Sequence, residues 1–217
     1  MKKRGLGLSI FLLCIALVQY FGFRSDQASD HRHNYLAPMK QSWLKEAQPI
    51  PLDAFELVDT QGGPFRPADL KGRWHIVLFG YTHCPDVCPT TLRILAQALD
   101  ALKQAGQSPV PRALFISVDP ERDNLSRLSA YLAEIHKEIV GLTGTESGLR
   151  HLLHTLKSDF KIETLQGEIS VNHPTPLFLI DPLGRYIGLF THPQQSVKLK
   201  EDIHRALEEN PVPTDGR

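Results

Sequence analysis

The hydrophobic positions of the chain follow two patterns, one typical of buried strands and one typical of helices packed on a sheet. Residues 74–79 and 112–118 are short, nearly unbroken apolar runs, which predict strands covered on both faces. After the first run, apolar residues recur at intervals of three and four, which predicts an amphipathic helix. The residues of that stripe are Leu92, Leu95, Ala96, Leu99 and Leu102.

The rest of the chain repeats this alternation of strands and helices. Further helices are predicted by stripes at Leu125, Leu128, Tyr131, Leu132 and Ile135, at Leu149, Leu152, Leu153 and Leu156, and at Leu199, Ile203, Ala206 and Leu207. Short strands are predicted at 139–142 and 160–165, and hairpins around Gly62 and around residues 181–184. Asp123 or Asn124 is expected to cap the second helix. Together these elements predict an α/β fold, a three-layer α/β/α sandwich with a mixed central sheet.

The N-terminus has the pattern of a membrane-targeting segment. Residues 1–5 form a basic start, and residues 6–23 carry no charge and are long enough to cross a bilayer core. Because no small-residue pair precedes Arg24 as a cleavage site, we expect a retained transmembrane anchor rather than a cleaved signal peptide, with the basic start on the inner side. Residues 24–50 are polar and are predicted to be a linker, followed by a domain at 51–208 and a tail at 209–217.

Composition narrows the possible partners. The formal net charge of the chain is zero and it has no basic patch, which argues against a nucleic-acid partner. Only three cysteines occur in 217 residues, and Cys14 lies in the apolar N-terminal segment. A fold built on disulfide bonds is therefore excluded.

The candidate chemistry lies where the first predicted strand passes into its helix, at Phe-Gly-Tyr-Thr-His-Cys-Pro-Asp-Val-Cys-Pro, residues 79–89. Cys84 is expected in the connecting loop and Cys88 at the start of the helix, with Pro89 in the first turn. The unpaired N–H groups and the dipole of a helix start favour a thiolate over a thiol. The pattern indicates a redox site or a site for a soft metal.

Three interpretations of Cys84 and Cys88 remain open at this stage: a structural disulfide, a thiol-disulfide oxidoreductase, and a metal site with at least one further ligand. The usual oxidoreductase motif has two residues between the cysteines, whereas three separate them here. His173, which precedes the apolar run starting at Leu177, is a candidate third ligand. Two thiolates and an imidazole suit Cu(I) and can also hold Cu(II). Zinc with a water ligand is a chemical alternative, for which Asp86 is the candidate acid or base.

At this motif the chain resembles the SCO/SenC family of copper-binding, thioredoxin-like proteins. The resemblance spans about residues 51–207 and includes both cysteines with their prolines, the segments 69–72, 115–123, 141–144 and 179–185, and the distant histidine. It implies a thioredoxin-like fold in which Cys84, Cys88 and His173 bind copper, as Cu(I) or Cu(II). Asn172 and Pro174 depart from the family pattern of an Asp before the histidine and Ser or Thr after it.

The resemblance also implies a function. Family members are membrane-anchored copper metallochaperones that help to build the dinuclear copper site of cytochrome c oxidase subunit II. The expected partners are that subunit, an upstream copper donor or thiol reductant, and the membrane itself. The alternatives are a thiol-disulfide oxidoreductase, in which Cys84 and Cys88 are a redox-active pair that reduces the subunit's cysteines, and a redox or copper sensor. The expected location is the bacterial inner membrane with the domain in the periplasm, or alternatively the mitochondrial inner membrane facing the intermembrane space.

Overall fold

The central β-sheet organises the described part of the chain. The computed structural model describes residues 43–158, 162–165, 168–171, 176–191 and 195–211. Its strands are β1 (Trp43–Pro51), β2 (Leu57–Asp59), β3 (Pro64–Phe65), β4 (His75–Gly80), β5 (Arg112–Ser117), β6 (Val140–Thr143), β7 (Ile162–Leu165), β8 (Glu168–Val171), β9 (Leu177–Ile180) and β10 (Arg185–Phe190). Eight of these strands form one mixed sheet in the order β1-β10-β9-β4-β5-β6-β2-β3, in which β4, β5 and β6 are parallel. Among the described residues, β7 and β8 pair only with each other.

Helices cover both faces of this sheet. They are α1 (Val87–Gln104), α2 (Leu125–Ile135), α3 (Glu146–Thr155) and α4 (Ser196–Glu208), and a 3₁₀ turn spans Pro67–Leu70. The apolar stripes of α1, α2 and α4 pack on one face and that of α3 on the other. The predicted three-layer sandwich with a mixed sheet is therefore confirmed.

The alternation of side chains along β4 explains why its sequence lacks polar positions. Ile76 and Leu78 point to the layer formed by α1, α2 and α4, whereas Val77 and Phe79 point to the layer that contains α3. Because neighbouring strands cover both edges of β4 and helices cover both of its faces, every residue of this strand is buried.

The predicted C-terminal boundary of the linker, at residue 50, is wrong. The polar composition of residues 43–50 predicts a linker, but these residues form β1 together with Pro51. β1 is an edge strand that pairs with β10, so most of its side chains face solvent and its backbone supplies the pairing. Trp43 fixes one end by packing on Phe190, with ring centroids 4.9 Å apart.

Other boundaries differ less. The strand expected at 160–165 is found at β7, and its partner β8 was not predicted. The predicted basic start and anchor, most of the linker and residues 212–217 of the tail lie outside the described residues. Among the helices that are described, none is both long and apolar enough to cross a membrane.

His75 is an unusual residue in the core. Its ring is 1% exposed, and neither ring nitrogen has a hydrogen-bond partner in the described residues. Burial, together with the nearby charges of Arg112 and Arg73, lowers the pKa of His75 from 6.5 to about 4. The imidazole is therefore neutral in the folded protein at neutral pH.

This neutral histidine should make the fold sensitive to acid. Between pH 6.5 and 4 the unfolded chain binds a proton at His75 that the folded chain does not, so stability falls as pH falls through that range. We expect His75 to account for a loss of up to about 3 kcal/mol, with a slope of at most about 1.4 kcal/mol per pH unit. Urea unfolding of the wild type and of His75→Leu at several pH values measures this loss, which the variant should lack.

A substitution at an exposed histidine supplies the control. His154 lies on the solvent side of α3, so His154→Gln should keep the acid dependence of the wild type. Equal pH slopes for the wild type and His75→Leu would contradict the neutral, buried state of His75.

Candidate thiol site at the end of the central strand

The site lies where two parallel strands end side by side. β4 and β5 pair in register from His75 with Arg112 to Gly80 with Ser117, so the segments that follow them emerge at the same edge of the sheet. In open α/β sheets, this carboxyl edge is where binding and catalytic groups collect. Here it brings the loop that carries Cys84 next to the segment 118–124.

Gly80 allows the chain to leave β4 against the core. A Cβ atom at this position would lie 2.7 Å from the Phe115 ring and 2.8 Å from Cys88 Sγ, closer than such atoms can approach. The backbone of Gly80 therefore occupies the space that a side chain would need. This close approach places the sulfur of Cys88 directly over the end of the strand.

Cys84 and Cys88 are adjacent free thiols at the start of α1. The backbone N–H of Cys88 donates to Cys84 Sγ at 3.4 Å. Cys84 is partly exposed, whereas Cys88 is only 2% exposed and belongs to the hydrophobic core beneath α1. The structure thus confirms the predicted placement of one thiol in the loop and the other at the helix start.

The two thiols differ in charge. A hydrogen bond from the Cys88 side chain lowers the pKa of Cys84 to about 6, with further help from the N–H groups of Cys88, Asp86 and Val87, although burial opposes the shift. The same hydrogen bond raises the pKa of Cys88, and burial and the charge of Cys84 act in the same direction. At neutral pH the pair therefore holds one thiolate, Cys84, and one thiol, Cys88.

Two tyrosines lie close enough to the thiol pair for its negative charge to raise their pKa. Burial, followed by the negative charge of the thiol pair, raises the pKa of Tyr131. Burial and the charge of Cys84 also raise the pKa of Tyr81. Within the described residues the buried hydroxyl of Tyr131 has no hydrogen-bond partner. Both phenols stay protonated and add neutral hydrogen-bond donors to the surroundings of the sulfur atoms.

The segment after β5 supplies a buried carboxylate. Asp123 is 0% exposed and accepts hydrogen bonds from the Thr82 N–H and the Ser117 hydroxyl at its Oδ2 atom and from the Thr82 hydroxyl at its Oδ1 atom. Asn124, not Asp123, caps α2, because its side chain accepts from the backbone N–H of Arg127 at 2.9 Å. Of the two expected caps, the structure therefore selects Asn124.

The site also contains a second group of possible metal ligands, which offer oxygen and nitrogen atoms instead of sulfur. Single ligand atoms of His83, Asp119 and Asp123 lie within 4.8 Å of one another. The carboxylate of Asp119 forms an ion pair with Arg122, and the oxygens of Asp123 already accept the three hydrogen bonds described above. These oxygens are thus occupied by groups of the protein.

The structure brings together only some of the predicted site residues. Cys84 and Cys88 meet as expected, whereas His173 lies outside the described residues, as do Asn172 and Pro174. Asp86, the candidate acid or base for zinc, is exposed at the start of α1 and accepts a hydrogen bond from the Thr90 hydroxyl at 3.1 Å.

Residues 45–208 match the family model described as SCO1/SenC. The chain belongs to the SCO1/SenC family. The match covers most of the chain and begins within β1.

Relatives of this SCO1/SenC chain include proteins whose structures were determined with copper bound. The mouse protein "Protein SCO2 homolog, mitochondrial" is 28% identical over 209 residues, which cover 95% of this chain and 82% of the mouse protein. The crystal structure of Arabidopsis thaliana ScoI with copper bound is 29% identical, has a TM-score of 0.65, and is matched over 73% of this chain and 98% of that one. The structure of Bradyrhizobium japonicum ScoI with copper bound is 32% identical, with a TM-score of 0.60 and coverage of 71% and 98%. The thioredoxin-like fold is therefore shared with these proteins.

The sequence does not predict the roles of Thr82 and Tyr131 in this SCO1/SenC site. For Asp123 the sequence does give a signal, because the segment 119–123 follows a second predicted strand whose end should lie beside the end of the first. No comparable signal marks Tyr131, since its position fits the apolar stripe of α2 and its ring packs on Phe115. Only the effect of the thiol pair on its pKa connects Tyr131 with the site.

Proposed function

We propose that this protein is a copper metallochaperone that binds copper through Cys84, Cys88 and His173 and delivers it to the dinuclear copper site of cytochrome c oxidase subunit II. The observation that carries the proposal is the pair of adjacent free thiols, one of them a thiolate, at the carboxyl edge of the sheet. Membership of a family with copper-bound relatives supports the choice of metal.

The donor set of the described thiols fits a soft cation. Cu(I) prefers thiolate sulfur and accepts low coordination numbers, so two cysteines and one imidazole are sufficient ligands. The metal-free pair holds one negative charge, and binding of Cu(I) to both sulfur atoms displaces the proton of Cys88. The bound pair with its ion then carries the same single negative charge. Uptake and release can therefore proceed by exchange of ligands and one proton, with no large change in the charge of the site.

His173 is the proposed third ligand. An imidazole completes a three-coordinate site for Cu(I) and would also help to hold Cu(II). The flanking Asn172 and Pro174, which differ from the family pattern, are expected to alter the tuning of the metal rather than the ligand set, since Asn can donate or accept a hydrogen bond but adds no charge.

We also propose that residues 6–23 anchor the protein in a membrane, with the domain on the outer side. The basic residues 1–5 and the uncharged run that follows them support this orientation. The proposed location is the bacterial inner membrane facing the periplasm; the alternative, the mitochondrial inner membrane, is supported by the name of the mouse relative.

The substitution His173→Ala tests copper binding. Removing one of three ligands should lower the affinity for Cu(I) by more than about tenfold, because even residues that only support a ligand contribute about 10- to 100-fold. The measurement is competition for Cu(I) between the reduced full-length protein and a chelator. In the same samples, the rate of thiol-disulfide exchange should change little, since that reaction needs only Cys84 and Cys88.

Two results would contradict the proposal. Oxidase assembly that proceeds normally with His173→Ala would show that copper delivery through this ligand set is not the function. Equal or tighter retention of Zn(II) than of Cu(I) by the reduced protein would show that copper is the wrong metal.

A second function, thiol-disulfide exchange, is favoured by one observation. The lowered pKa of Cys84 and its partial exposure are the properties of an attacking thiolate, and the buried Cys88 is placed to resolve the product. Cys84 would attack a disulfide of subunit II to form a mixed disulfide. Cys88 would then lose its proton and displace the subunit's thiolate, leaving a Cys84–Cys88 disulfide and a reduced dithiol on the subunit. The His173→Ala experiment separates this function from copper delivery.

A further inference from the structure

The ion-pair partner of Asp123 is of a different kind from those of the other buried aspartates in the described residues. Asp119, Asp181 and Asp202 are also buried, and each forms an ion pair with an arginine: Arg122, Arg185 and Arg205 respectively. The only ion-pair partner of Asp123 in the described chain is His83, whose Nδ1 lies 3.6 Å from Oδ1 and which is charged only when protonated. A buried carboxylate without a permanent cation is costly, so its place in the fold needs another explanation.

The hydrogen bonds of Asp123 converge on one residue of the loop before Cys84. Oδ2 accepts the backbone N–H of Thr82 at 2.8 Å, and Oδ1 accepts the Thr82 hydroxyl at 2.6 Å. The Ser117 hydroxyl donates to Oδ2 at 2.6 Å and fixes the carboxylate to the end of β5. Because an ionised carboxylate accepts strong hydrogen bonds, both the backbone and the side chain of Thr82 are held in place.

Thr82 in turn belongs to a tight turn that ends at Cys84. The backbone N–H of Cys84 donates to the carbonyl of Tyr81 at 3.2 Å, so Thr82 and His83 are the two central residues of this turn. The Thr82 hydroxyl also accepts a hydrogen bond from Arg127 Nε at 3.0 Å, which links the turn to α2. A displacement of Thr82 would therefore move Cys84 relative to the start of α1.

The position of Cys84 determines how well its sulfur is stabilised. The backbone N–H of Cys88 donates to Cys84 Sγ at 3.4 Å, and it can do so only while the turn holds the sulfur over the first turn of α1. We propose that Asp123 is a positioning residue for the thiol pair, acting through Thr82 to fix the turn that carries Cys84. This proposal deepens the function proposed above, since both use the same thiols, but it concerns the metal-free protein.

The test measures the equilibrium between the dithiol and the disulfide of the full-length, metal-free protein in glutathione buffers. Oxidation joins the two sulfur atoms and converts one oxidised glutathione into two reduced molecules. The turn favours the dithiol, because it holds Cys84 Sγ against the backbone N–H of Cys88, and a disulfide sulfur accepts such a hydrogen bond less strongly. Thr82→Val removes the hydroxyl and should shift the equilibrium constant roughly three- to tenfold toward the disulfide. Asp123→Asn should shift it in the same direction.

Two further variants separate positioning from a general loss of stability. Thr82→Ser keeps the hydroxyl and should stay within about twofold of the wild-type equilibrium constant, a smaller change than one net hydrogen bond produces. Asp181→Asn makes the same change in an equally buried turn, but Asp181 follows Ile180, which pairs with His75 at the opposite end of β4. This variant should reduce stability toward urea and leave the thiol equilibrium unchanged.

The proposal is overturned if Thr82→Val and Asp123→Asn keep the wild-type equilibrium constant, or if Asp181→Asn shifts it as much as they do. Should Asp123→Asn fail to fold, Thr82→Val decides the question alone, because Thr82 is partly exposed and its substitution leaves the backbone N–H bond to Asp123 in place. The measurement involves no copper, so it stays informative if copper binding through His173 is disproved.

Discussion

Replacing Cys88 with alanine should lower the affinity for Cu(I) more than about 100-fold, because it removes a ligand and not merely a residue that supports one. It should also slow the alkylation of Cys84 by iodoacetamide at pH 7 by about tenfold. The reason is that the Cys88 side chain makes the largest contribution to the lowered pKa of Cys84. Without it the pKa of Cys84 rises toward its ordinary value, and the thiolate fraction at pH 7 falls.

The measurement is the rate of iodoacetamide incorporation at Cys84 in the reduced, metal-free, full-length protein, with the labelled residue identified by peptide mass spectrometry. Cys14→Ala is the matched control, since it makes the same substitution in the apolar N-terminal segment and should change neither this rate nor copper affinity. An unchanged rate in Cys88→Ala would show that the backbone N–H groups alone stabilise the Cys84 thiolate.

Gly80→Ala should be the most destabilising small substitution near the site. The added methyl group would lie 2.7 Å from the Phe115 ring and 2.8 Å from Cys88 Sγ. Phe115 is fully buried between α1 and α2, so the ring cannot move aside without disturbing the core. We expect a loss of about 2–3 kcal/mol in the free energy of unfolding, in the upper part of the usual range for overpacking. Urea unfolding of the reduced protein measures it.

The same substitution elsewhere in the chain provides the comparison. In Gly148→Ala the new methyl group would lie 3.3 Å from Thr145 Oγ1 in the first turn of α3, a contact that a small shift can relieve. Alanine is also the better helix former by about 1 kcal/mol, so this variant should lie within about 1 kcal/mol of the wild type. Equal stability of Gly80→Ala and Gly148→Ala would show that the packing around Gly80 is looser than the distances indicate.

The sequence was most informative where a whole element is buried. The run 74–79 is apolar because β4 is covered on both faces, and the stripe from Leu92 to Leu102 follows from the packing of α1 on that strand. The two elements place Cys84 and Cys88 at their junction without any knowledge of the other strands. This part of the site could therefore be predicted from local pattern alone.

The sequence was least informative where backbone pairing or long-range contacts decide the structure. β1 is held by its pairing with β10, so its polar side chains gave no sign of a strand. Thr82 and Asp123 are 41 residues apart, and two aspartates compete in the segment 119–123 for the inward position. Hydrophobic periodicity cannot show which carboxylate turns toward the loop, because that depends on the register of β4 and β5.

The burial of Cys88 makes the domain responsive to the state of its own sulfur. Its side chain packs in the same cluster as Leu92, Phe115 and Leu128, so a proton, a bond to Cys84 or a metal ion at that sulfur alters contacts that stabilise the domain. Anything that binds this thiol pair only in the folded state also shifts the folding equilibrium by mass action. The state of the thiol pair should therefore be measurable as a change in the stability of the whole domain.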